Sequence, residues 1–342
     1  MLFPGTEYAD LRATDTHRRA HLPAARGPLS ERIIEALGSG GAVDRTPDVA
    51  DADPYGDDVQ LALSVAYELH YQGFAGVDEG REWDPGVLGY RVEIERRFLD
   101  AVRRDIGDVD SPVVGEMDRL CVEPLNGSGV SQLLCDSASW DQFRDYFAMR
   151  SLYHLKEADP HAWVIPRLRR HAKAAFVAVE YDEFGAGRGD AVHQELFADL
   201  LAAADLDPSY LGYLPHAPAW ALAPVNLMSL FGLHRALRGA AVGHLAATEI
   251  TSPTGSARVL AGLERVDAPE PCRHFYREHV EADAVHEQVL RADVVGALID
   301  AEPDLEPDVV LGIRGFLHME DMWETGLQQV WASGHGIVSP SR

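Results

Sequence analysis

The sequence predicts an all-α protein, and three observations support that prediction. From Trp140 onward, apolar residues recur at helical spacing almost to the end of the chain. Runs of alternating polarity bounded by hairpin turns are nearly absent, so strands should contribute little. The breaks between the periodic segments carry Gly and Pro, as in DLDPSY, PHAP and TSPTG. We therefore expect a bundle of helices connected by short loops.

The sequence of residues 1–135 predicts an accessory region of helices. The stretch 1–56 is rich in Pro, Gly, Asp and Arg, and contains one short predicted helix over 30–37. An acidic start and dense apolar spacing predict a buried helix over 57–71. A third helix follows Pro85 and ends near Gly107, and the sequence from there to Ser139 predicts a looser segment.

Residues 136–342 predict the main domain, which is helical almost throughout. Here the apolar periodicity predicts helices near 140–158, 164–182, 190–204, 224–248, 256–264, 270–299 and 306–333. The predicted ends of these helices coincide with the Gly- and Pro-containing breaks.

Composition excludes several classes of protein. The formal charge of −25, from 55 acids and 30 bases, repels phosphate backbones, so we expect no nucleic-acid partner. No window approaches eighteen consecutive apolar residues and the N-terminus lacks a secretion-signal pattern, so we expect no membrane association and a cytoplasmic location. Three cysteines without CxxC spacing argue against disulfides and a thiolate zinc site.

The sharpest local signal is HVEADAVH, in which His279, Asp283 and His286 stand at i, i+4 and i+7. At about 100° per residue, the three side chains lie within roughly 60° of one helix face. Two imidazoles and a carboxylate suit Fe, Mn or Zn, and oxygen chemistry favours iron. The alternative is a solvated face with scattered histidines.

Acidic residues in apolar surroundings add to this signal. Glu157 ends SLYHLKE, and Glu249 ends the small, apolar run GAAVGHLAATE. Either residue alone could be a helix-end charge or a hydrogen-bonded core residue. Because burying an isolated carboxylate costs several kcal/mol, which metal coordination offsets, several such acids on separate helices reinforce one another.

Glu183 and His193 bracket the glycine-rich segment DEFGAGRGDAVH. On one unbroken helix they would lie about 15 Å apart, too far to share a metal. The three glycines predict an interruption that lets the chain fold back before a second helix led by Asp190. A simple interhelix turn is the alternative.

The sequence resembles the haem-oxygenase-like di-iron oxidase and oxygenase family. The resemblance rests on LKEADPHAWVIPRL, VEYDEFGAGRGDAVHQELF, TEITSP and HVEADAVH, together with the upstream block that begins DDVQLALSVAYELHY. It is nearest to the N-oxygenating branch, which includes a 2-aminoimidazole N-oxygenase and the central domain of the streptozotocin N-nitrosourea synthase. The histidines outside these motifs, His154 among them, are expected to be core or surface residues.

The resemblance implies a seven-helix haem-oxygenase-like scaffold that binds two iron ions (Fe2+/Fe3+) and uses O2 as co-substrate. The residues that it implies as metal ligands and catalytic residues are Glu157, Glu183, His193, Glu249, His279, Asp283 and His286. It further implies a small-molecule amine substrate oxidised to a hydroxylamine or nitro product in natural-product biosynthesis, an external electron donor, and a homodimer.

Three alternative functions remain open from the sequence. The first is oxidative C–C cleavage of a fatty or amino acid on the same metals, as a decarboxylase or lyase. The second is haem binding, which would need one axial imidazole and would leave the cluster of acids unexplained. The third is a non-catalytic partner or metal-storage protein, which would retain iron without an accelerated reaction with O2.

Overall fold

The computed structural model describes residues 19–43, 49–122, 129–334 and 336–338. Within these ranges there is no strand, which confirms the predicted all-α class. The first helices are α1 (Pro28–Ser39), α2 (Asp57–Glu68), α3 (Pro85–Ile106), α4 (Val113–Leu120) and α5 (Val130–Asp136). They are followed by α6 (Trp140–His154), α7 (Asp159–Ala162), α8 (Arg170–Glu183), α9 (His193–Ala203), α10 (Ala219–Leu233), α11 (Arg238–Arg265), α12 (Glu270–Gln288), α13 (Ala297–Ala301) and α14 (Glu306–Ala332).

The predicted break between a helix over 224–248 and a helix over 256–264 is wrong. The chain breaks at 234–237 instead, and α11 then runs without interruption through TSPTG. Pro253 removes one backbone donor, which normally breaks or kinks a helix. Here buried Val259 and Leu263 hold the second half of α11 in the core. Tertiary packing therefore overrides the local breaker signal.

Two other regions differ from the prediction. α4 and α5 form inside the segment expected to be loose, and both pack against α11 and α14. The predicted helix 270–299 is α-helical only to Gln288, since residues Val289–Gly296 wind as a π-helix that packs against α8. Short helices and π-turns depend on such neighbours, so apolar spacing alone does not reveal them.

The centre of the bundle is the close crossing of α11 and α14. A Cβ added at Gly243 would meet the Val309 carbonyl, and one added at Gly312 would meet the Ala240 carbonyl. The two backbones therefore touch where glycine leaves room. α10, buried along nearly its whole length, packs against α14, and α12 packs along α11. This arrangement fixes the two helices that carry Glu249, His279 and His286.

The N-terminal helices share the core of the bundle. α2 packs against α10, where Asn226 donates to the Gln60 carbonyl at 2.8 Å and Ser64 donates to Asn226 at 2.9 Å. α3 contacts α14. The division at residue 135 and the homodimer stay predictions. No helix in the described residues is long and apolar enough to cross a membrane.

Candidate metal centre

Glu157 lies in a tight turn after α6, so the helix predicted over 140–158 is too long. α6 ends at His154, and Ala158 has a left-handed backbone with a φ of 70°. Since this turn is not helical, neighbouring groups set the direction of Glu157. Gln194 Nε2 donates to its carbonyl at 2.8 Å, and His154 Nδ1 lies 3.1 Å from its Oε2.

Burial alone would raise the pKa of the Glu157 carboxyl. The imidazoles of His154 and His279 outweigh that effect and hold the pKa of Glu157 well below its usual range. The side chain is therefore a carboxylate, although the residue is only 8% exposed. A buried carboxylate facing imidazoles is the state in which the residue can ligate a metal.

Glu183 ends α8, His193 begins α9, and the glycine-rich segment between them folds back. Gly185 has a φ of 69°, and a Cβ there would meet the Ala191 backbone at 2.6 Å, so only glycine fits. The predicted fold-back is confirmed, but the second helix begins at His193 and is not capped by Asp190.

The fold-back places the Glu183 carboxylate between two imidazoles. Its Oε2 lies 2.7 Å from His193 Nδ1, and its Oε1 lies 3.6 Å from His286 Nδ1. Burial lowers the pKa of His193, but the Glu183 carboxylate outweighs it, so the net shift is upward. The two donor atoms are also close enough to converge on one metal ion.

His279 and His286 lie on α12 two turns apart, and both reach the same cluster. His279 Nδ1 lies 2.8 Å from the Phe275 carbonyl, which can only accept, so Nδ1 carries the proton. Its Nε2 lone pair therefore faces the cluster, 3.7 Å from Glu157 Oε2. The side chain of Asp283, predicted between the two histidines, lies outside the described residues.

His286 lies between two carboxylates. Its Nδ1 is 3.1 Å from Oε2 of Glu249, which lies buried inside α11 rather than at a helix end. Its Nε2 is 3.1 Å from Oδ2 of Asp182. If Nδ1 ligated a metal, Nε2 would carry the proton and donate a hydrogen bond to Asp182. Such hydrogen bonds orient ligating histidines.

Sequence reasoning missed three residues of the cluster: His154, Asp182 and Glu180. His154 was expected to be a core or surface residue, yet its Nδ1 contacts Glu157 and its ring packs 4.6 Å from Phe197. The signal for His154 was its i, i+3 spacing from Glu157. Burial, and after it the Glu183 carboxylate, raises the pKa of the buried Glu180 carboxyl well above its usual range.

Among the side chains that the structure describes, three overlapping groups are placed to hold a metal ion, because one donor atom from each member lies within 4.8 Å of the others. The groups are His154, Glu157 and His279; Glu157, Glu183 and His193; and Glu183, Glu249 and His286. Glu157 and Glu183 each belong to two groups, so the cluster is continuous. Its donors are imidazole nitrogens and carboxylate oxygens, which suit non-haem iron, and coordination would offset the burial of the carboxylates.

A cavity of about 470 Å³ opens beside the cluster. Its lining includes His154, Glu157 and His279 of the cluster, together with Arg150 and Glu320. Further lining comes from aromatic rings, from Glu287 and Glu324, and from the hydroxyl groups of α11. The volume suits a small molecule with one end at the cluster.

Comparison with known families agrees with this geometry. The model of an iron-containing redox enzyme family matches residues 144–321, more than half of the chain and the stretch that carries every predicted ligand. No match was found among curated proteins. The matched stretch is helical throughout its elements and encloses the buried cluster of imidazoles and carboxylates. The chain therefore belongs to the haem-oxygenase-like family of iron-containing redox enzymes and is an oxidoreductase.

Proposed function

We propose that the chain is a non-haem di-iron N-oxygenase that uses O2 to oxidise a small-molecule amine. The observation that supports this most strongly is the Glu183 carboxylate, whose two oxygens face His193 on one side and His286 on the other. A carboxylate shared between two groups of ligands is suited to bridging two metal ions.

The proposed ligands divide into two groups around Glu183. Glu157, His193 and His279 would hold one iron, and Glu249 and His286 the other. Asp283 is proposed as a further ligand on the sequence resemblance alone. The bound irons would supply the electrons that O2 needs to react, a task that side chains alone do not perform.

The overall reaction fixes what else the protein requires. Converting R–NH2 to R–NHOH consumes one O2, two electrons and two protons, and releases one water. Because the amine nitrogen provides none of these reducing electrons, an external electron donor must supply them. A nitro product would need further rounds at the same site.

The charges around the cavity favour an amine over a fatty acid. Its lining includes four carboxylates and only two guanidinium groups, and one of these, Arg150, already pairs with Glu320 through two hydrogen bonds. Glu157 is itself a proposed iron ligand, so beyond the metal centre the lining keeps Glu287 and Glu324 against Arg258, an excess of one negative charge that favours an ammonium group over a carboxylate. The amine reading therefore has support from the cavity as well as from the resemblance.

An ammonium ion must lose its proton before its nitrogen can be oxidised. Burial raises the pKa of Glu324, which makes this lining carboxylate a better proton acceptor. Burial and the surrounding carboxylates raise the pKa of Tyr153 well above its usual value, so its hydroxyl stays protonated. Tyr153 is thus available to donate a hydrogen bond to a ligand in the cavity.

The direct test supplies the iron-loaded protein with 18O2, a chemical reductant and a panel of small amines, amino acids and fatty acids. The proposal predicts a product that retains every carbon of an amine and gains 18O on nitrogen, detected by mass spectrometry. Glu183→Gln should abolish that product. A product shortened by a carbon fragment would instead support oxidative C–C cleavage and contradict N-oxygenation.

A further inference from the structure

We propose that the buried ion pair between Glu68 and Lys156 positions the metal ligand Glu157. This inference rests on the proposed function, in which Glu157 ligates one of two irons. Glu68 ends α2, whereas Lys156 immediately precedes Glu157 in the turn after α6. The N-terminal helices would then support the metal centre directly, in addition to any part they have in dimerisation.

The pair is deeply buried and well connected. Glu68 is 1% exposed and Lys156 is 4% exposed. Besides Lys156 Nζ, the Glu68 carboxylate accepts from the Tyr210 hydroxyl and from the Gln72 amide, each at 3.1 Å. The Lys156 ammonium also lies 4.2 Å from the centre of the Tyr71 ring. These partners leave Lys156 little freedom to move.

The position of Lys156 affects Glu157 because the two share one short, non-helical turn. α6 ends two residues earlier, and Ala158, with its φ of 70°, directs the chain away on the other side. The backbone amides of Lys156 and Glu157 donate three residues back instead of four, so regular α-helical geometry does not set the direction of the Glu157 side chain. Glu68 holds the Lys156 side chain, and Gln194 holds the Glu157 carbonyl. Together these two contacts fix the backbone between Lys156 and Glu157.

The second group of ligands is positioned by helices other than α2. Glu249 lies in the middle of α11, and His286 lies on α12 with Asp182 of α8 as its partner. Weakening the ion pair should therefore affect the iron held by Glu157 and leave the other iron bound. This selectivity separates a positioning role from general stabilisation of the fold.

The test uses the double variant Glu68→Gln/Lys156→Met. It removes both charges together, because either charge left alone in the interior would itself destabilise the protein. The glutamine keeps one oxygen, which can accept from the Gln72 backbone amide, and its NH2 group can donate to the Tyr210 hydroxyl oxygen. A milder variant, Tyr210→Phe, deletes one hydrogen bond to Glu68. The control is Glu116→Gln, which breaks an ion pair between buried Glu116 of α4 and half-buried Arg314 of α14, outside the cavity lining.

Metal binding is measured by anaerobic Co(II) titration of the full chain, followed by visible absorption, with thermal unfolding measured in parallel. We expect the double variant to weaken one of two binding steps by about 10- to 100-fold and to leave the other unchanged. Tyr210→Phe should weaken the same step less, and Glu116→Gln should weaken neither. Glu157→Gln shows which binding step involves Glu157. Combining Glu157→Gln with the double variant should not weaken that step further.

Three outcomes would overturn the inference. Unchanged binding in a folded double variant would show that the ion pair only stabilises the fold. An equal loss at both steps would show general loosening instead of positioning. Two unchanged steps in Glu157→Gln would contradict the ligand assignment itself, so that failure is distinguishable from a failure of the positioning role alone.

Discussion

Glu183 Oε2 lies 2.7 Å from His193 Nδ1, although nine residues of chain separate the end of α8 from the start of α9. The glycine-rich fold-back between them creates this contact, and the other carboxylate oxygen faces His286. The metal centre therefore depends on one loop conformation as much as on the helices around it. Several expectations follow from these contacts.

Glu183→Gln should release both metal ions, because this carboxylate faces both groups of ligands. Glu249→Gln should release only one, since Glu249 contacts His286 and belongs to only one of the three metal-binding groups. Metal content after desalting, measured for both variants at equal protein concentration, checks the difference. Equal metal losses in the two variants would contradict a shared Glu183.

Asp182→Asn should weaken metal binding at His286 by about 10- to 100-fold, because a carboxylate that accepts from a ligating imidazole orients it and increases its basicity. The matched control is Asp293→Asn, which removes an exposed contact between Asp293 and His171 at 2.9 Å. A competitive titration against a metal chelator measures both variants. If the two weaken binding equally, Asp182 has no special link to the metal.

Gly185→Ala should lower the free energy of unfolding by about 1–3 kcal/mol, because alanine would be strained at a φ of 69°. The new methyl group would also displace the Ala191 backbone and with it His193, so metal content should fall. Gly189→Ala is the control, since a Cβ there meets nothing within 4 Å. Chemical denaturation and metal analysis would refute the strain argument if the two variants behaved alike.

The free energy of unfolding should decrease in acid partly through Glu116. Burial alone would raise its pKa, but Arg314 and Arg119 outweigh burial and lower the pKa of Glu116 from 4.5 to about 2. The stabilisation is therefore complete above about pH 4.5 and disappears as the pH falls toward 2. Glu116→Gln should flatten the pH dependence of unfolding in that window. A curve that keeps the parental slope would exclude this contribution.

The sequence was sufficient for the helical class and for six residues of the cluster, which are Glu157, Glu183, His193, Glu249, His279 and His286, but not for His154. HVEADAVH kept its spacing on α12, and the glycines predicted the fold-back that joins Glu183 to His193. These features depend on local geometry, which one stretch of sequence encodes. Their role as metal ligands stays a prediction for each residue.

Other parts of the site depend on contacts between distant segments. Asp182 is recognisable as a partner only because α12 brings His286 beside it, and Glu68 reaches Lys156 across 88 residues of sequence. The continuation of α11 through Pro253 likewise depends on packing against neighbouring helices. No periodicity in a single segment carries that information.

The most direct test of the central claim is the number of iron ions that one chain binds. The protein is loaded anaerobically with excess Fe(II), desalted, and measured for iron and protein, with Glu183→Gln treated in parallel. The account predicts two ions per chain, and far less iron in the variant. A chain that retains no iron, or a variant that retains as much as the parent, would contradict the claim that these residues form a di-iron centre.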